Sequence, residues 1–361
     1  MLFKRFFPIC LIIMLYVVGC GSSSSKVSNT TSAIGEKVPF VMLLENPSKN
    51  QACSDRALVC KFDMSSSKVS FEKKPLFERS ANGQFNFRMV WDGNKNVLLK
   101  ATPFRGSTIK LSSLNSDYNI KELPLSQSSD PLVIKDPSGT FTVYNDKSQL
   151  IVEASGKKRV INLPKLYKTI IPYPLLVFGD ENNYQVLVTF NTPSAETKGL
   201  IVGKLLLAKV TDKGINWQQV TGEYCSFIAD EGASVAKFDD QIYITACGTV
   251  KTLDLKKEKL VLEDYKPIND ILSTIKQKFQ EAPIQLSFGV YKDYLLFTAQ
   301  SSQEKWLWIM NKGALVGRIH IDSVNNRIES HVGQQSSLET LPGKPTFDML
   351  ILPTSLYGTY K

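Results

Sequence analysis

LVFGDENNYQVLVTF, residues 176–190, carries the pattern that decides the fold. An apolar run ends in a turn marked by Asp180, and a second apolar run follows. The same figure recurs as RMVWDGNKNVLLKA (88–101), LVIKDPSGTFTVY (132–144), VAKFDDQIYITA (235–246) and GVYKDYLLFTA (289–299). A weaker copy, PTFDMLIL, occupies 345–352. The marking residues are Asp92, Asp136, Asp180, Asp239, Asp293 and Asp348, at intervals of 44, 44, 59, 54 and 55. In QFNFRMVW, Phe85, Phe87, Met89 and Trp91 take alternate positions, the period of two of a half-buried strand. Similar runs stand at TFTVY (140–144), YQVLVTF (184–190), QIYITA (241–246), YLLFTA (294–299) and KWLWIM (305–310).

Short antiparallel strands recurring every 40–50 residues or so predict a β-propeller, because a small sheet must cover both faces by stacking on its neighbours. Six copies, with residues 36–83 as a further unit, predict seven blades; six and eight are the alternatives. The last copy is short, and VPFVMLLE (38–45) is placed to complete it. A pair of β-sandwich domains is the rival architecture, and intervals sustained along the whole chain argue against it. The longer intervals hold insertions. One is the loop TPSAETKG (192–199), and the other is PINDILSTIKQKFQEAP (267–283). In the second, Ile268, Ile271, Leu272, Ile275 and Phe279 fall on one helical face. This predicts a short inserted helix with its apolar stripe on the propeller, capped by Asn269 or Asp270 and stopped by Pro283.

The chain opens with Lys4 and Arg5 and an apolar run from Phe6 to Val18, the pattern of a secretory signal. It ends in Val17-Val18-Gly19-Cys20, which resembles the bacterial lipobox, with Val17 where that family most often has Leu. The resemblance implies a diacylglyceryl group on Cys20, cleavage before it and acylation of the new amino group. Each buried CH₂ adds about 0.8 kcal/mol, so several chains on one residue make a lasting anchor. With Gly21 rather than Asp after the cysteine, the family pattern implies the outer membrane. The domains expected are a signal peptide at 1–19, the lipidated Cys20 and a Ser-rich tether to residue 35, and a propeller domain at 36–361. Extended, the tether GSSSSKVSNTTSAIG (21–35) reaches about 50 Å at ~3.3 Å per residue.

Apolar residues make up 43% of the chain and aromatics 10%, as in a folded protein. The formal charge of +9 falls to +7 without Lys4 and Arg5, a mild excess suited to anionic lipid, polysaccharide or cell-wall surfaces. Nucleic acid is not an expected partner of an exported chain. Beyond Cys10 in the signal and Cys20, four cysteines remain: Cys53, Cys60, Cys225 and Cys247. An even remainder in an exported chain reads as two disulfides. Three pairings exist, and proximity favours Cys53 with Cys60 and Cys225 with Cys247. Their spacing is not that of a zinc site, and no metal is expected.

Asp212-Lys213-Gly214-Ile215-Asn216-Trp217 resembles the Asp-box of sialidase-type propellers, with Asn216 in place of Thr and Val210 where Ser is usual. The resemblance implies structural roles alone for Asp212, Gly214 and Trp217: a capped hairpin turn and a packed indole. Catalytic signatures are absent from the sequence: no G-x-S-x-G, HExxH, P-loop or G-x-G-x-x-G occurs. His320 and His331 are the only histidines, and His320 in RIHID reads as a strand residue with a structural role. The densest acidic stretch, Glu223, Asp230 and Glu231, flanks Cys225, while Arg88, Arg105, Arg159, Arg318 and Arg327 are scattered. The expectation is a lipid-anchored, non-catalytic module without cofactors that binds or scaffolds envelope proteins or glycans. The alternative is a glycan-active hydrolase of sialidase-like architecture, which needs arginines and carboxylates to converge.

Overall fold

A computed structural model describes residues 36–45, 55–79, 85–91, 97–103, 110–114, 120–123, 133–135, 141–146, 149–167, 170–193, 201–222, 224–225, 234–246, 248–279, 285–301, 304–346, 350–353 and 356–357. Its strands pair antiparallel with sequence neighbours in six sheets. The first sheet holds β1 (Lys37–Glu45), β2 (Asp55–Asp63) and β3 (Lys68–Phe71), with β4 (Phe77–Arg79) also on β2. The second runs β5 (Phe85–Trp91), β6 (Val97–Pro103), β7 (Lys110–Leu114) and β8 (Ile120–Leu123). The third runs β9 (Val133–Lys135), β10 (Phe141–Asp146), β11 (Gln149–Ala154) and β12 (Lys157–Asn162). The fourth holds β13 (Tyr173–Gly179), β14 (Asn183–Pro193), β15 (Ile201–Thr211) and β16 (Gly214–Gln219), with β17 (Tyr224–Cys225) also on β15. The fifth runs β18 (Ser234–Phe238), β19 (Gln241–Ala246), β20 (Thr249–Asp254) and β21 (Leu262–Asp264). Helix α1 (Lys266–Phe279) then leads to the sixth, which runs β22 (Gln285–Tyr291), β23 (Tyr294–Gln300), β24 (Glu304–Asn311), β25 (Ala314–Asp322), β26 (Arg327–Val332) and β27 (Gln335–Thr340). The final strand, β28 (Leu356–Tyr357), returns to the free edge of β18.

The period of two dictates the packing. On β14, Val186 and Val188 face the third sheet, in a cluster with Val143 and Val152. Leu187 between them faces the fifth, in a cluster with Val235, Ile242 and Ile244. On β23, Phe297 joins Tyr243 and helix residues Ile268 and Leu272, while Leu296 joins Phe40, Met42 and Phe62 of the first sheet. Each sheet with both faces described is therefore apolar on both sides, and neither side is covered until its neighbours stack. Burial of this kind stabilises by about 25 cal/mol per Å² of apolar surface. Meander sheets stacked face to face in chain order, with their first strands gathered on one axis, define a β-propeller.

The recurring Asp turns fall where the first strand of a sheet turns into the second: β13 to β14, β18 to β19 and β22 to β23. At the first of these, Asp180 Oδ1 accepts from the backbone amides of Asn182 (3.0 Å) and Asn183 (2.8 Å). Gly179 has φ +121°, and a Cβ there would lie 2.5 Å from the Asn183 carbonyl oxygen, so the tight turn requires glycine. Asp92, Asp136 and Asp348 lie outside the described residues.

The described residues form six sheets, one of the alternatives to seven blades. The described part of the 345–352 copy is bonded to the segment at 36–45. It lies beside β1, with Val41 and Ile351 exchanging both backbone hydrogen bonds (2.8 and 2.9 Å) and Thr346 donating to the Leu43 carbonyl (3.0 Å). VPFVMLLE does complete this unit, as its length predicted. The helix caps are corrected. Helix α1 starts at Lys266, ahead of the predicted caps, with Pro267 in its first turn. Asn269 lies inside it and caps no helix end. Its amide accepts from Val250 N (2.8 Å) and donates to Val250 O (2.9 Å), fastening the helix to β20. Ile268, Leu272 and Ile275 are buried as the stripe predicted; Pro283 lies outside the described residues.

Candidate functional site

The first described residue is a fastening point. Glu36 Oε2 accepts the Tyr294 hydroxyl at 3.0 Å, Oε1 meets Lys292 Nζ at 2.9 Å, and the Glu36 carbonyl accepts Met64 N at 3.0 Å. Glu36 is thus held to the Asp293 hairpin of the sixth sheet. Burial, then the Glu36 carboxylate, pushes the Tyr294 hydroxyl up to about 12. The same carboxylate raises the Lys292 ammonium.

Beside it, the Asp239 and Asp293 hairpins form a shallow cleft of about 200 Å³, with Phe238 and Val290 as apolar lining and Lys237, Asp239, Lys292, Asp293, Asn311 and Lys312 as polar lining. Lys237 Nζ donates to the Asp239 carbonyl (2.6 Å) and stands 5.6 Å from the Phe178 ring centre, so the Asp180 hairpin lies on the same rim. The cleft is smaller than ligand pockets of roughly 300–1,000 Å³, and its charges are mixed.

The axis is the second feature. After Ile351, Pro353 crosses β22 and its carbonyl accepts Val290 N at 3.0 Å. A Cβ on Gly289 would lie 2.4 Å from Leu352 Cβ and 2.7 Å from the Pro353 oxygen, so glycine permits the crossing. Then β28 pairs Leu356 with Val235 and Tyr357 with Ser234, while lying against β5, β9 and β13. Between Lys344 and Tyr357 the chain therefore touches the first strand of every sheet. Ser234 also ties two sheets directly, its Oγ accepting Phe288 N at 2.8 Å.

Among the described residues, those singled out from the sequence do not converge. Asp212 and Lys213 form the exposed two-residue turn from β15 to β16, closed by the Thr211–Gly214 pair with Gly214 at φ +146°. Trp217 lies opposite Ala208, half-buried against the fourth sheet's clusters. Cys60 stands as a free thiol, buried in the core with Leu58 and Phe62, because the alternation of β2 turns all three toward the sixth sheet. Burial raises that thiol far above the usual range. Cys225 pairs its backbone with Val202; its side chain, and Cys20, Cys53, Cys247, Glu223, Asp230, Glu231 and Arg105, lie outside the described residues. Arg88 is placed on β5 by its backbone. Arg159 belongs to the third sheet and donates to the Thr211 carbonyl (2.8 Å), while Arg318 and Arg327 belong to the sixth.

Sequence reading missed how the two histidines meet. His320 Nε2 lies 2.9 Å from Glu304 Oε2, its ring stacks on Trp306 at 5.7 Å, and His331 Nε2 lies 2.7 Å from Glu329 Oε1. His320 Nδ1 is 3.9 Å from Glu329 Oε2, so both histidines address one carboxylate. Strand register carries this cluster, with Trp306 opposite His320 and His320 opposite Glu329. Among the described residues, no group of three or more His, Cys, Asp or Glu side chains is arranged to hold a metal ion. The cluster sits on outer strands, away from the axis.

No protein-family model matches the chain, and no curated protein sequence matches it. Solved structures similar to it include apo AztD from Citrobacter koseri, at 9% identity and TM-score 0.40 over 90% of this chain and 100% of that one. A gluconolactonase from Xanthomonas campestris is similar at 11% identity and TM-score 0.40, over 86% of this chain and 98% of that one. The β-propeller domain of the Trilobed protease from Pyrococcus furiosus is similar at 10% identity and TM-score 0.36, over 86% and 94%. At this identity none of their activities transfers to this chain.

Proposed function

We propose that this chain is a lipid-anchored, non-catalytic propeller of the bacterial envelope that binds or scaffolds other envelope components. One observation supports the reading: Glu36, the residue that follows the Ser-rich stretch, is bonded to Lys292 and Tyr294. A chain lipidated at Cys20 then joins its tether at the rim of the Asp hairpins, and a flexible tether of about 50 Å leaves the other surfaces open to partners. The lipobox-like Val17–Cys20 and Gly21 support anchoring in the outer membrane. A propeller supplies broad rims for docking, and binding needs no catalytic group. The glycan-hydrolase alternative gains nothing from Arg159, Arg318 and Arg327, which stand on two different sheets.

Labelling of cells with a palmitate analogue, followed by fractionation, tests the reading. The wild-type chain is expected to carry label and to sediment with outer membranes, and Cys20→Ala to lose both. Cross-linking in cells is expected to capture a discrete envelope partner. A wild-type chain that is unlabelled, or turnover of a glycan panel by the purified protein, overturns it.

A further inference from the structure

We propose that the outer edge of β27 is a self-pairing edge, on which a second copy of this chain adds its own β27 antiparallel, about a two-fold axis through Leu338. This pairing is independent of the anchoring reading above. Strand β27 is the outermost of the six strands of the sixth sheet. Leu341 N donates to Asn326 O at 3.0 Å, which fixes the alternation of bonds between β26 and β27. Glu339, Ser337 and Gln335 therefore turn their main-chain groups toward β26, while Thr340, Leu338 and Ser336 turn theirs outward. All three outward residues are exposed, Leu338 at 64%, and among the described residues β26 is the one strand paired with β27.

Sheet edges are ordinarily guarded against pairing by charge, proline or brevity. Strand β12 carries Lys157, Lys158 and Arg159, and β21 is three residues long with Glu263 and Asp264. Strand β27 is six residues long, without lysine or proline. Its one charge is turned away: Glu339 Oε1 accepts Val69 N at 3.1 Å and Ser337 Oγ at 3.0 Å. Strand β16 also lacks charge, but its exposed residues, Asn216 and Gln219, do not share a face.

The outward row is complementary to itself, which argues for a second copy as the occupant. With Leu338 on the axis, Leu338 meets its equivalent, and Ser336 of each copy meets Thr340 of the other. Each of these pairs exchanges both main-chain bonds, because all three residues point their groups outward. Apolar and hydroxyl pairs are favourable across strands, and no charge opposes its like. Such a contact is isologous and closes on two copies. One edge buries less than a standard interface of ~1,200–2,000 Å², so the dimer exchanges with monomer.

Oxidative cross-linking of the full chain, purified in detergent, tests the register one cysteine at a time, with the wild-type chain as the background for its own cysteines. Leu338→Cys is expected to form a covalent dimer, because position 338 faces its own equivalent. Ser336→Cys and Thr340→Cys are expected to stay at background, each lying about 13 Å along the edge from its equivalent at ~3.3 Å per residue. Leu338→Lys sets like charges opposite each other and is expected to weaken association about tenfold or more in analytical ultracentrifugation, while Leu338→Val retains it. Melting curves establish that each variant is folded. No cross-link at 338, equal cross-linking at 336, 338 and 340, or association unchanged by Leu338→Lys overturns the proposal. So does a photo-crosslinker at position 338 that joins a different protein in cells in place of a second copy.

Discussion

Tyr294 donates its hydroxyl to the Glu36 carboxylate across 258 positions of sequence, and this bond joins the first described residue to the sixth sheet. Tyr294 is nearly buried, and its ring belongs to the cluster between the first and sixth sheets. Removing the hydroxyl by Tyr294→Phe forfeits one hydrogen bond to a charged group, about 1.5–3 kcal/mol. The pH dependence has a fixed sign. Unfolded, the phenol loses its proton near pH ~10; folded, it holds it to about 12. Between those values the unfolded chain has released a proton that the native chain retains, so stability is full below pH ~10 and falls as pH rises. Tyr184, Tyr243 and Tyr265, all raised first by burial, act in the same direction. Urea midpoints measured at high pH are expected to fall less steeply for Tyr294→Phe than for wild type; equal slopes would contradict the assignment.

The Cys60 thiol is predicted to be inert. It is fully buried, and burial holds its proton far above the usual thiol range. Treatment of the native chain with an alkylating reagent should leave Cys60 unmodified in peptide mapping, and denaturant should expose it. Cys60→Ser places a hydroxyl among Leu58, Phe62 and their neighbours and is expected to cost about 1–3 kcal/mol.

Helix α1 provides a paired comparison. Asn269→Ala takes the partner from Val250 N and one of two donors from Val250 O, which keeps the Tyr265 amide at 2.9 Å, with an expected loss of about 1–3 kcal/mol. Leu272→Ala opens a void beneath the helix and is expected to cost about 2–5 kcal/mol. Asp270 next to Asn269 is exposed and its carboxylate fastens nothing in the described structure, and Asp270→Ala should fall within about 0.5 kcal/mol of wild type. Chemical denaturation of the three variants checks the order.

Gly289→Ala tests the crossing on β22. The added carbon would overlap Leu352 and the Pro353 carbonyl, and backbone cannot yield as a flexible side chain does. A destabilisation of about 1–3 kcal/mol is expected, with earlier proteolytic cleavage after residue 346. An unchanged digestion pattern would show that the crossing is looser than described.

Much of the fold was legible because burial on both sheet faces writes itself as alternation, and the tight first turn of each sheet selects Asp and its polar neighbours. The inserted helix was legible for the same reason, through Ile268, Leu272 and Ile275. Its start was not, because Asn269 satisfies a neighbouring strand instead of the helix end. The partner of PTFDMLIL was not legible: a segment that pairs with residues roughly 300 positions away has the same local pattern as one that pairs with its neighbour. Strands β26 and β27 carry mixed exposure, with Leu338 64% exposed, and offered no clean alternation to read. The meeting of His320, Glu304, Glu329 and His331 depends on register across three strands, which single runs of sequence do not display.

The bonding of Val41 to Ile351 sets an order of events during folding. The two exchange both backbone hydrogen bonds across roughly 300 positions of sequence, and closing so long a loop costs more entropy than zipping a strand onto its neighbour. Until that loop closes, one border of β1 is bare and invites proteases and chaperones, and the arrival of Ile351 conceals it.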